Sequence, residues 1–93
     1  MTDAELLAGV WRMVTEDRVC DAEFRSEGTL TYSVEVEGHT LVMNLIWRLE
    51  EGVIVSDQQT APGEVRSKYT FADADTLMLE YDGEESTFRR RAV

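Results

Sequence analysis

Glycine-bearing turn signals divide this chain at a nearly even beat, and that beat constrains its fold more than any other feature. They are Glu27-Gly28, Gly38-His39, Glu51-Gly52, Pro62-Gly63, the Asp73-Ala74-Asp75 corner and Asp82-Gly83. Between them apolar and polar residues alternate. Period-two segments punctuated roughly every ten residues are the pattern of an all-β sandwich or barrel.

The segments predict eight antiparallel strands in sequence order. They run over about Val10–Glu16, Val19–Arg25, Thr29–Glu37, Thr40–Glu50, Val53–Gln58, Glu64–Phe71, Thr76–Tyr81 and Glu85–Arg91. A loop from Gln59 to Gly63 holds the only proline, Pro62. Ahead of the strands, Thr2-Asp3-Ala4-Glu5 reads as a capping box that starts a helix of one to two turns. Gly9 should stop it.

Register can be tested by parity, because paired residues share a face of the sheet. A loop over Ser26–Gly28 pairs Phe24 with Leu30, Ala22 with Tyr32 and Cys20 with Val34. A Gly38-His39 loop pairs Val36 with Leu41, Val34 with Met43 and Tyr32 with Leu45. A loop over Glu50–Gly52 pairs Leu49 with Val53 and Trp47 with Val55. Every pair is apolar, so three turns agree on one inside face. The last hairpin stays open between a two-residue loop, which sets Leu79 opposite Ser86, and a four-residue loop, which sets it opposite Phe88.

A twisted meander of eight strands tends to close, because closure removes both edges. The expected fold is therefore all-β: a small eight-stranded antiparallel up-and-down barrel with a short N-terminal helix, one domain over residues 1–93. A flattened barrel or two packed sheets is the alternative.

A chain of 93 residues is near the lower limit for a self-sufficient core. Its net charge of −10, from 19 acids against 9 bases, repels phosphate backbones and anionic membranes. Neither nucleic acid nor membrane is an expected partner. Arg89, Arg90 and Arg91 form the only basic run, too short to track phosphates. The single cysteine, Cys20, can form no internal disulfide and has no second thiolate to share a zinc ion. That usage fits a reducing compartment. Met1 to Trp11 carries Asp3 and Glu5 and no apolar core of a signal peptide, so the expected location is the cytoplasm.

Catalytic signatures are missing: no nucleophile elbow, no Gly-rich phosphate loop and no histidine pair. His39 falls on a hairpin tip. Cys20 faces the core, where a thiol is a packing group. Asp21, Glu23, Glu35 and Glu37 lie on the outer face and read as solvated, whereas an acid–base pair needs one desolvated carboxylate. No cofactor or metal is expected, and an enzyme ranks last among the functional readings.

The inner face carries Trp11, Met13, Phe24, Tyr32, Met43, Trp47, Tyr69 and Tyr81. Such a lining, with Ser67, Arg90 and tyrosine hydroxyls as oriented polar groups, suits a small-molecule pocket. It equally suits a filled interior, since eight strands enclose just enough space for either. On the outer face, Val42, Ile46 and Ile54 are apolar on neighbouring strands and form a candidate dimer interface.

The opening Leu7-Ala8-Gly9-Val10-Trp11 resembles the start of a lipocalin. A short helix leads into Gly-x-Trp on the first strand, and a basic residue near the end of the last strand packs across the tryptophan in that family. Arg90 fits by parity. The resemblance is to the compact lipocalin-like domains of bacteria rather than to the longer, secreted lipocalins. It implies a barrel closed around Gly9, Trp11 and Arg90 that binds a small hydrophobic or amphipathic molecule entering from the opposite end. Tyr32, Met43, Leu45, Tyr69 and Leu79 would line the site. The alternative is an interaction or structural protein with a filled core, dimerising through Val42, Ile46 and Ile54.

Overall fold

Thr2 caps the one helix among the described residues, α1 (Asp3–Leu7), by the expected box: its hydroxyl accepts from the Glu5 amide at 3.2 Å, and the Glu5 carboxylate accepts from the Thr2 amide at 3.5 Å. The computed structural model describes residues 2–58 and 63–91. The remainder of the Gln59–Gly63 loop read from the sequence, with Pro62, lies outside the described residues.

Eight strands follow: β1 (Gly9–Val14), β2 (Arg18–Phe24), β3 (Thr29–Val36), β4 (His39–Glu50), β5 (Val53–Gln58), β6 (Val65–Asp73), β7 (Thr76–Tyr81) and β8 (Glu84–Arg90). Each pairs antiparallel with the next, and β8 returns to β1 to close a barrel. The seam joins Trp11 to Arg90 and Arg12 to Arg89, and the Arg91 amide donates to the Val10 carbonyl at 2.8 Å. Closure leaves no strand at an end of the sheet.

The β2–β3 hairpin has the expected register, with Phe24 opposite Leu30, Ala22 opposite Tyr32 and Cys20 opposite Val34. The next two hairpins differ. The β3–β4 turn is Glu37-Gly38, at φ 49° and 79°, so His39 already belongs to β4. Val36 faces His39, Val34 faces Leu41 and Tyr32 faces Met43. The shift is two residues, so every side chain keeps its face.

The β4–β5 turn is Glu51-Gly52, at φ 43° and 82°. It holds two residues instead of three, and one residue reverses the faces of a strand. Leu49 therefore faces Ile54 and Trp47 faces Ser56. Both turns place their two central residues at positive φ, the type I′ geometry whose twist matches the flanking strands. The same geometry at Asp82-Gly83, φ 53° and 80°, resolves the last hairpin: Leu79 faces Ser86 and Leu77 faces Phe88.

The core sits at the helix-bearing end. Leu7, Trp11, Cys20, Ala22, Phe24, Leu30, Ile54, Leu77 and Phe88 are buried together. Val55, displaced to the outer face, is buried as well. It lies in register between Arg48 and Arg66. Those arginines form a closed ring of ion pairs with Glu50 and Glu64, at 2.6 to 3.3 Å. Their aliphatic stems cover what the reversed parity exposes.

Candidate ligand cavity

One end of the barrel is sealed by a small hydrogen-bonded assembly. The Trp11 indole N–H donates to the Leu7 carbonyl at 2.9 Å. The Arg90 guanidinium lies over the Trp11 ring and donates to the carbonyls of Leu6 at 2.6 Å, Ala8 at 3.2 Å and Ala74 at 3.0 Å. The last helical turn has carbonyls without intrahelical partners, and Arg90 supplies their donors while tying α1 to the β6–β7 turn. Gly9 makes this possible: at φ 130° it takes a backbone state open mainly to glycine, and a Cβ there would stand 3.1 Å from the Arg90 guanidinium. Gly9, Trp11 and Arg90 thus come together as the sequence suggested. Of the three consecutive arginines only Arg90 has the inward phase. Arg91 instead reaches the Asp21 carboxylate at 3.2 Å, which also accepts a two-pronged bond from Arg12 at 2.8 and 3.0 Å.

Above this plug the interior is hollow. A cavity of about 410 Å³ runs from Phe24, Leu30, Ile54 and Phe88 to the opposite end, where Met43, Gln58, Gly63 and Tyr81 line its mouth. Tyr32, Met43, Leu45 and Leu79 line it as expected. Tyr69 does not. Its hydroxyl donates to Asp3 at 2.7 Å and its ring meets Phe71 edge-on at 5.8 Å, so it belongs to the plug. Desolvation and the adjoining Asp3 push the Tyr69 hydroxyl up to about 12, keeping it a neutral donor.

Trp47 is likewise structural: its indole donates to the Arg25 carbonyl at 3.0 Å and its ring packs edge-on against Phe24 at 5.3 Å. Tyr32 remains in the wall, where burial first and the adjacent Cys20 thiol second push its hydroxyl up to about 12. Cys20 is buried, as read from its parity.

The proposed interface residues separate. Val42 and Ile46 are 58% and 41% exposed on the outside of β4, whereas Ile54 is 4% exposed and lines the cavity. The short Glu51-Gly52 turn moves Ile54 inward, so it takes no part in an outer patch. Ser56, a cavity residue that parity from a three-residue loop places outside, is brought in by the same reversal. A two-residue turn at Glu51-Gly52, matching the other two hairpins, was the signal available for both. Beyond these, β4 outruns its neighbour: β5 pairs only with Leu45–Glu50. Among the described residues the second edge of β4 from His39 to Asn44 is unpaired.

Among the described residues no group of three or more metal-binding side chains occurs, and no helix is long and apolar enough to cross a membrane. No known protein family, curated protein or solved structure matches the chain.

Proposed function

We propose that this protein is a lipocalin-like binding module that holds a small, largely apolar molecule inside the barrel. One observation carries the reading: a cavity of about 410 Å³ with a mainly apolar wall, plugged at the Trp11–Arg90 end and lined to its mouth at the other. Pockets of roughly 300–1,000 Å³ with apolar walls and a few polar groups suit small ligands. Leu45, Met43 and Leu79 supply apolar area, and the two methionines on the wall, Met13 and Met43, adapt to shape. The lipocalin-like resemblance, Gly9-x-Trp11 with Arg90 across it, supports the same reading. A single buried cysteine is consistent with a cytoplasmic setting, and an acidic chain is a poor partner for nucleic acid.

Titration with the neutral fluorophore N-phenylnaphthylamine tests it. Saturable enhancement at one site per chain is expected, and Ala22→Trp, which fills the cavity floor, should abolish it. No enhancement with the wild-type protein would refute the reading.

A second reading is favoured by β4. Val42 and Ile46 are exposed beside an edge that no described residue pairs, and residues Thr40–Asn44 carry no charge in a chain of net charge −10. Two copies would approach there with least repulsion and dimerise. Sedimentation of wild type against Val42→Lys decides: an unchanged profile counts against a dimer.

A further inference from the structure

Resting on the cavity reading, we infer that the occupant is an uncharged molecule with hydrogen-bonding oxygens along one edge, held between two unlike walls. The lining divides by strand. On β1 to β4 the wall is greasy, from Met13 and Phe24 to Leu45, with the Tyr32 hydroxyl its one polar side-chain group among the described residues. On β5, β6 and β8 it carries Ser56, Ser67 and Ser86.

These serines form a band. Ser56 faces Val65 and Ser67 faces Ile54, so the two are diagonal neighbours on adjacent strands. Ser86 faces Leu79, which in turn faces Tyr69, two residues beyond Ser67. The band therefore crosses the inner surface from β5 to β8. All three serines are half-buried, and none bonds through its side chain to another described residue. A hydrocarbon covering them would strip water from three hydroxyls and return nothing. A ligand with oxygens on that edge replaces the lost water bonds, while its other face meets the apolar wall.

Charge argues against an anionic head group. Among the described residues no lysine or arginine lines the cavity. Asp57, at its mouth, already accepts the amides of Gln58 at 2.8 Å and Gly63 at 2.7 Å. Arg18 has the inward phase at the same end but lies outside the lining and is paired with Asp17 at 3.4 Å. A fatty-acid carboxylate would meet a like charge and no free cation within the wall.

Equilibrium dialysis of three ten-carbon probes tests the inference: a naphthalenediol with both hydroxyls on one edge, naphthalene, and decanoate. Wild-type protein should bind the diol at least about tenfold tighter than either other probe, although the diol is the more water-soluble ring. The variant carrying Ser56→Ala, Ser67→Ala and Ser86→Ala, its far-ultraviolet circular dichroism unchanged, should lose that preference. Equal or tighter binding of naphthalene or decanoate by the wild type overturns the inference, as does a preference that survives in the triple variant. In both cases wild type still binds N-phenylnaphthylamine, so the cavity reading stands; failure of that fluorophore to bind wild type overturns both.

Discussion

The Arg90 guanidinium carbon sits 4.3 Å from the centroid of the Trp11 ring, directly across the seam that closes the barrel. Cation–π contact and three backbone carbonyls converge on one side chain. Arg90→Ala removes the stacking and orphans the carbonyls of Leu6, Ala8 and Ala74, which should cost about 3 kcal/mol. Arg90→Lys should recover less than half, because an ammonium cannot fork across several acceptors. Urea unfolding of the three proteins measures both.

Gly9→Ala should be costly for two separate reasons, its φ of 130° and the 3.1 Å approach to Arg90. A loss of about 2 kcal/mol is expected. Gly52→Ala has a similar backbone problem at φ 82° but open space around it, and should lose about 1 kcal/mol. Equal losses would show that the Arg90 contact contributes nothing.

Ile54 and Ile46 test the face reversal in β5. Ile54→Ala truncates a buried side chain and should destabilise by about 3 kcal/mol. Ile46→Ala, on the exposed face of β4, should stay within about 0.5 kcal/mol. If the β4–β5 turn instead held three residues, the Ile54 cost would shrink to the surface value.

Alkaline stability should follow Tyr32 and Tyr69. Both hydroxyls are held up at about 12 in the folded protein, by desolvation first in each case. An unfolded tyrosine ionises near pH 10, so the folded state holds more protons between those values. Stability from both residues is whole below about pH 10 and falls as pH rises toward 12. Tyr69→Phe should flatten part of that loss in urea titrations at stepped pH.

At the acid end Asp21 should behave in the opposite sense. The Arg12 hydrogen bond, against some desolvation, holds its carboxyl below the usual carboxylate range. Its contribution is present above the unfolded value near 3.9 and disappears as pH falls through the lower folded value. Asp21→Asn should therefore lower stability at neutral pH and converge with wild type in acid. A difference that persists at low pH would assign its cause to packing.

Much of this architecture is legible residue by residue. Thr2 and Glu5 announce the cap, and alternation from Leu30 to Val36 announces β3. Cys20, Ala22 and Phe24 find the partners that parity assigns them. Trp11 and Arg90 meet because both have inward phase on strands that closure makes neighbours. Tyr69 illustrates the limit: its phase is inward as read, but its height along the barrel puts it beside Asp3, and height depends on strand stagger.

Alternation alone determined that this chain forms a meander with one greasy face, since period-two patterning is a local property that each strand carries by itself. The tertiary structure decided the length of each reverse turn, and through it which of Ile54 and Val55 faces inward. Both are apolar, so local pattern accepts either phase. The choice needs partners on the neighbouring strands: Ser67 and the cavity on one side, the Arg48–Arg66 ion-pair ring on the other. Pairing of β4, β5 and β6 brings those groups to the same strand, and closure of the barrel makes its inner side a cavity.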